Sequence, residues 1–121
     1  MTRIYWHDAA LHHITPPGHP ERVARAEAVK ARLGKIEGLD WHEAPIADRS
    51  EVLRCHPERY VARIEAAVPA SDYVSLDADT HMSPGSLEAA MRAVGGCGAA
   101  VDTVLAGDAK TAFVAMRPPG H

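Results

Sequence analysis

Cysteine is almost absent. Cys55 and Cys97 are the only two in 121 residues, and they stand far apart without metal-type spacing. That excludes a disulfide framework and fits free, buried thiols in a reducing compartment. No signal-peptide apolar region opens the chain, which begins Met1-Thr2-Arg3-Ile4-Tyr5-Trp6-His7-Asp8. No stretch is expected to reach the length of a membrane span, and the cytoplasm is the expected compartment. Basic residues form no stripe: 13 Lys and Arg stand against 16 Asp and Glu, a net charge of −3. Direct nucleic-acid binding is therefore not expected. What remains is ordinary globular composition, 46% hydrophobic and 24% charged, with the length of one domain.

The order of elements reads as alternating strand and helix. Arg3 to Trp6 is β-prone and ends in His7-Asp8. Thr15-Pro16-Pro17-Gly18 blocks both helix and sheet. With Pro20 in the first turn and Val23, Ala26, Val29 and Leu33 at helical spacing, residues 20–34 are predicted to form an amphipathic helix. Leu39 to Glu43 is a second short strand. Asp48 and Glu51 make a capping-box pattern, so a short helix is predicted from Arg49. His56-Pro57-Glu58-Arg59 opens another, ending near Val68-Pro69. Residues 72–79 read as an acidic loop. Ser83 is expected to cap a long helix with Pro84 behind it. The stripe Leu87, Met91, Val94, Val101, Val104 and Leu105 is its expected packing face, and Gly107 its end. Gly95, Gly96 and Gly98 each cost a helix about 1 kcal/mol relative to alanine, so close packing of its backbone on a sheet is expected. Alternation of strand and helix implies parallel pairing.

The chemistry concentrates at the far end of the sequence. The apolar run Ala112-Phe113-Val114-Ala115-Met116 is followed by Arg117-Pro118-Pro119-Gly120-His121. This reads as a buried strand, a stiff turn and a histidine delivered at the strand's carboxyl end, where open α/β sheets build their sites. Two prolines fix φ there, and Gly120 is expected to allow a turn closed to other residues. Arg117 either bonds the backbone around this turn or is a solvated arginine. His7, Asp8, His12, His13 and His19 cluster in sequence. Neighbours on extended chain point opposite ways, so a polar loop, with His19 capping a helix, is the expected reading rather than a metal site. Trp6 and Trp41 are expected at the core or its edge.

The Arg-Pro-Pro-Gly-His run resembles the start of a signature of the histone deacetylase family, zinc amidohydrolases that include bacterial deacetylase-like amidohydrolases and acetylpolyamine amidohydrolases. Three further stretches resemble the family in the same order: His19-Pro20-Glu21-Arg22, Leu76-Asp77-Ala78-Asp79-Thr80 with Ser83-Pro84-Gly85-Ser86, and the long helix running to Gly107. The bacterial class II-like branch is the most similar.

The resemblance implies a three-layer α/β/α fold on a parallel sheet, arginase/deacetylase-like, with this chain its incomplete N-terminal part. It implies that His121 is the first of two adjacent active-site histidines. It implies that Asp77 holds substrate backbone at the rim, against the plainer reading of an acidic loop residue. Arg22 would lie near an internal channel, against an ordinary surface charge pairing with Glu21 or Glu27. Arg117 and Gly120 would support the site. The implied cofactor is Zn2+, with ligands outside these residues and no metal ligand among them. The implied substrates are acetylated lysine side chains or acetylpolyamines, and oligomers are possible. The isolated chain is expected to be inactive. A non-catalytic interaction or regulatory module built on the same fold stays open, as does a ureohydrolase-type metalloenzyme, against which the Pro-Pro-Gly-His turn argues.

Overall fold

The computed structural model describes residues 1–120; His121 lies outside the described residues. Strand β1, Thr2–Trp6, is the centre of a three-stranded sheet, with β2, Asp40–Glu43, on one side and β5, Thr111–Val114, on the other. Both pairings are parallel, with Arg3 opposite Asp40 and Ala112. A two-stranded antiparallel hairpin, β3 (Val74–Ser75) with β4 (His81–Met82), occupies part of the stretch expected to be loop. Its turn is closed by Asp77, whose Oδ1 accepts from the backbone N–H groups of Asp79 and Thr80, each at 2.8 Å.

The period-two alternation of β1 sends its side chains to opposite layers. Ile4 and Trp6 pack with Ala10, Ala26 and Ala115 against helix α1, Val23–Leu33. Tyr5 points the other way, and its hydroxyl lies 2.6 Å from the Thr103 hydroxyl on helix α4, Ser86–Ala106. Helix, sheet and helix therefore form the three layers expected. Two short helices, α2 (Arg49–Leu53) and α3 (Glu58–Ala67), are joined by Arg49, which forks onto Glu58 and Glu65 at the surface. Asp48 caps α2 through the N–H of Ser50, as its pattern predicts. Glu51, its expected partner in the box, instead reaches Arg54 at 3.3 Å.

Helix α4 corrects the expected packing face. Its buried positions are Ser86, Ala89, Gly96 and Thr103, whereas Val101, Val104 and Leu105 are 57%, 41% and 81% exposed. Small residues win the inner face because they let the helix backbone approach the sheet. A Cβ on Gly96 would lie 3.0 Å from the Val114 side chain and 3.2 Å from that of Ala44. One on Gly95 would lie 1.9 Å from the Pro45 carbonyl oxygen. Gly98 meets nothing within 4 Å, so packing explains two of the three glycines. Gly107 ends the helix in the left-handed region, φ 80°, as a glycine C-cap does. At 21 residues, α4 is also long and apolar enough to cross a membrane, contrary to the sequence expectation; here it forms a layer on the sheet. Cys55 and Cys97 are exposed rather than buried.

Candidate functional site at the carboxyl end of the sheet

Parallel pairing brings the exits of β1 and β5 to the same end of the sheet. The chain leaves β1 through His7 into a 3-10 turn, Asp8–Leu11, and leaves β5 through Ala115 and Met116 into Arg117. The backbone N–H of Ala115 donates to the Tyr5 carbonyl at 2.9 Å, so the two exits stay in register past β5 itself.

Arg117 is the hub. It is 4% exposed, which removes the solvated reading. Its Nη1 donates to the carbonyls of Ala10 at 2.8 Å and His13 at 2.5 Å. Its Nε and Nη2 fork onto Glu21 Oε1 and Oε2 at 2.9 and 2.6 Å. The planar guanidinium suits this bidentate grip. The backbone that Arg117 holds is the loop after β1 rather than its own turn.

The sequence pattern puts Glu21 inside helix α1. The helix instead starts at Val23, with Arg22 extended at its N-cap and making no side-chain capping bond. Pro20 and Glu21 stay outside because Glu21 is held from three directions. Its carbonyl accepts from Thr15 Oγ1 at 2.6 Å, its N–H donates to His19 Nδ1 at 3.1 Å, and its carboxylate faces Arg117. Burial pushes the Glu21 carboxyl up, but the bonded guanidinium outweighs it and holds the group below the usual carboxylate range.

Behind this pair lies a buried polar chain. His13 Nδ1 is 2.6 Å from Ser86 Oγ, and His13 Nε2 is 3.6 Å from Glu21 Oε2. Ser83 N–H donates to Ser86 Oγ at 2.7 Å, and Ser83 Oγ donates to the His12 carbonyl at 3.0 Å while accepting from Ile14 N at 2.9 Å. The arrangement that uses every donor has Ser86 donating to Nδ1, which leaves the His13 proton on Nε2, facing the carboxylate. Burial first, and the Arg117 charge second, depress the His13 pKa, so the ring is neutral at pH 7. Ser86, His13 and Glu21 follow the order of a hydroxyl–imidazole–carboxylate triad. Yet Ser86 is 3% exposed and Glu21 is already neutralised by Arg117, so the chain of bonds is structural rather than nucleophilic. Ser83 likewise is no helix cap; it is 0% exposed and stitches the loop at 12–14 to the start of α4.

The remaining sequence candidates are spread around this hub. His19 caps no helix: its Nε2 reaches the Asp79 carbonyl at 2.8 Å, tying the pre-helix segment to the β3–β4 turn. Its ring meets His81 edge-on at 5.4 Å, and His81 meets Tyr73 at 5.8 Å. Asp77 is exposed, and its bonds to the Asp79 and Thr80 backbone hold its carboxyl below the ordinary value. Arg22 is exposed at the start of α1; the ion pairs of Glu21 go to Arg117 and Arg25 instead. Gly120 takes no left-handed φ, and a Cβ there would meet nothing within 4 Å. The conformational freedom expected of it is not used among the described residues. The Arg117–Pro118 peptide is cis. Trp6 is in the core, and Trp41, 38% exposed, is at the sheet edge.

Among the described residues, no three of His, Cys, Asp or Glu converge at metal-binding distances. His13 is committed to Ser86, and His12 is exposed.

Sequence reasoning missed Glu21, His13, Ser83 and Ser86 as one network. The available signal was the motif that carries Glu21, read as helix because Pro20 precedes it.

Residues 17–121 match the family model described as histone deacetylase domain. The chain is 36% identical to a histone deacetylase-like amidohydrolase of Pseudomonas aeruginosa, over 96% of this chain and 34% of that protein. It is 32% identical to a probable deacetylase of Archaeoglobus fulgidus, over 100% of this chain and 34% of that one. The crystal structure of the HDA15 HD domain superposes with a TM-score of 0.89 at 24% identity, covering 98% of this chain and 37% of that one; that likeness is one of fold. The chain thus spans about a third of the length of these relatives. On the family match and the shared three-layer fold, this chain belongs to the histone deacetylase family.

Proposed function

We propose that these residues are the N-terminal part of a zinc-dependent amidohydrolase that removes acetyl groups from acetyl-lysine or acetylated polyamines in the cytoplasm. The observation that carries the reading is the Arg117 hub. It ties the turn leading to His121 to the carboxyl end of a parallel sheet, through two carbonyls and one carboxylate. In this reading His121 holds or moves a proton at the reacting amide, as a suitably tuned imidazole does. Asp77 holds the substrate backbone: it is exposed and ionised, and both of its turn bonds fall on Oδ1, so Oδ2 is the oxygen proposed to accept from a substrate N–H. Arg117 supports the turn and touches no substrate.

Bound zinc would polarise the acetyl carbonyl and lower the pKa of water. No ligand for it is assigned among these residues, and no step is derived through it. The second histidine, the metal ligands and an oxyanion donor are assigned to sequence that follows His121 in the parent protein, and each such group is worth orders of magnitude in rate.

The test compares residues 1–121 alone with the same residues joined to whatever the reading frame encodes next. Acetate release is measured from an acetyl-lysine peptide and from an acetylated diamine. The joined protein is expected to release acetate from one of them in a chelator-sensitive way, and the isolated chain from neither. A joined protein that hydrolyses neither, or turnover by the isolated chain, overturns the proposal.

A further inference from the structure

We propose that His19 is a positioning residue for Asp77, acting through the peptide that joins Asp79 to Thr80. The inference rests on the reading that Asp77 accepts a substrate backbone N–H, and it gives a task to a residue that this reading leaves without one.

Both ends of that peptide are in use. Its carbonyl, on Asp79, accepts from His19 Nε2 at 2.8 Å, and its N–H, on Thr80, donates to Asp77 Oδ1 at 2.8 Å. A peptide unit is planar, so its C=O and N–H turn together. Holding the carbonyl on the imidazole therefore sets the direction from which Thr80 grips Asp77, and each bond polarises the other. The imidazole is itself fixed. Its Nδ1 accepts from the Glu21 N–H at 3.1 Å, which puts the ring proton on Nε2, facing Asp79. Its ring meets His81 of β4 edge-on at 5.4 Å, and Tyr73 lies 5.8 Å from His81. Glu21 is in turn gripped by the buried Arg117, so the contacts run unbroken from the sheet end to the turn. The hairpin supplies little rigidity of its own. Two residue pairs join β3 to β4, and an isolated two-stranded hairpin is marginal at best in water. Among the described residues, His19 makes the one hydrogen bond that reaches residues 76–80 from outside the hairpin. With Oδ1 held by the turn, the direction of Asp77 Oδ2 follows from the orientation of this peptide.

Substitutions at His19 separate positioning from general stabilisation. His19→Asn keeps an oxygen for the Glu21 N–H but is too short to reach Asp79. His19→Gln brings an amide N–H close to the place of Nε2 and is the conservative rescue. His19→Phe keeps the ring and its contact with His81 but neither nitrogen, and takes the place of His19→Asn where that variant does not fold. Each is also made in an Asp77→Ala background. A residue that acts through Asp77 has nothing left to act on there, so its effect disappears in the double variant. A merely structural role carries its effect into both backgrounds.

Two measurements are made on the intact parent protein. The first is the NMR titration of the Asp77 carboxyl, assigned by its disappearance in Asp77→Ala. The backbone bonds from Asp79 and Thr80 hold that carboxyl below its ordinary value, so its midpoint is expected to rise in His19→Asn and to return in His19→Gln. This readout needs no turnover. The second is kcat and KM on an acetyl-lysine peptide and on the same peptide methylated at the backbone nitrogens around the acetyl-lysine. His19→Asn is expected to raise KM for the plain peptide about fivefold, the scale of one hydrogen bond, with kcat within about twofold, the pattern of lost uniform binding. The methylated peptide has no N–H to offer, so its KM is expected to stay within about twofold. The same holds for the plain peptide when His19→Asn is added to Asp77→Ala. If the parent hydrolyses no acetyl-lysine peptide, or Asp77→Ala leaves KM unchanged, the functional reading falls while the carboxyl titration still decides whether His19 fixes Asp77. An unmoved Asp77 titration overturns the inference. So does an equal rise in KM for both peptides, or in both backgrounds.

Discussion

Adding one methyl group to α4 should have opposite effects at positions three residues apart. Gly95→Ala places a Cβ 1.9 Å from the Pro45 carbonyl oxygen, 2.8 Å from the Pro45 carbonyl carbon and 2.9 Å from the Ala47 nitrogen. All three are backbone atoms, and ordinary carbon–oxygen contact begins near 3.3 Å, so the two segments must separate by more than an ångström. The segment at 44–47 resists that. The Ala47 N–H donates to the Met91 carbonyl at 3.0 Å, and Arg92 Nη1 donates to the Ala44 carbonyl at 3.2 Å. Overpacking of this kind costs about 1–3 kcal/mol, and loss of either bond adds about 1 kcal/mol. The helical preference of alanine over glycine returns about 1 kcal/mol. The net is a loss of about 1–3 kcal/mol. At Gly98 a Cβ meets nothing within 4 Å, so only the propensity gain of about 1 kcal/mol remains. Urea unfolding of the wild type and both single variants, followed by far-ultraviolet circular dichroism, measures the gap of about 2–4 kcal/mol between them. If Gly95→Ala is as stable as the wild type, or Gly98→Ala is less stable, the account of how α4 seats on the sheet is wrong.

Three other outcomes are expected. Arg117→Leu should destabilise the protein by about 3–5 kcal/mol, because it strands the partly buried Glu21 carboxylate; a loss below about 1 kcal/mol in urea titration would contradict the hub. Stability should fall as pH drops below the ordinary histidine value of 6.5, because the depressed His13 stays neutral when folded while the unfolded chain takes up a proton first. That loss levels off once pH passes the folded His13 value. A second loss follows in more acid solution as Glu21, held below its ordinary 4.5, is protonated. His13→Gln should remove the first step and leave the second, and an unchanged pH profile would refute the assignment. Phe113 is 49% exposed beside the outer edge of β5. A strand edge of this kind invites pairing, so Phe113→Lys should reduce concentration-dependent association in sedimentation velocity; equal association in both proteins would point elsewhere.

Much of the fold is local and was legible for that reason. The β-prone run at Arg3 to Trp6, the Asp48 cap, the Pro57 start and the Gly107 stop are each decided by a few neighbouring residues, and each stands where its pattern puts it. What hydrophobicity alone misplaced was the inner face of α4. There the deciding quantity is how near two backbones come, and serine, alanine, glycine and threonine serve better than valine or leucine. The network at the sheet end was illegible for another reason. Arg117 and Glu21 are 96 positions apart, and His13 and Ser86 are 73 apart. No local pattern announces such a pairing. Proline in a first turn is a good helix signal, but a buried bidentate ion pair outweighs it and keeps Pro20 and Glu21 outside α1. The motif resemblance reached the right family while leaving the part played by Glu21 unseen.

Among the described strands the central one comes first in the chain, and its two neighbours come second and fifth. During synthesis β1 can find β2 once residue 43 has emerged, but its other flank stays open until residue 114 follows. Closing so large a loop is slow compared with forming local helices. A nascent chain therefore carries a half-satisfied β1 until β5 emerges, with Tyr5 waiting for Thr103 on one face and Ile4 for Ala115 on the other.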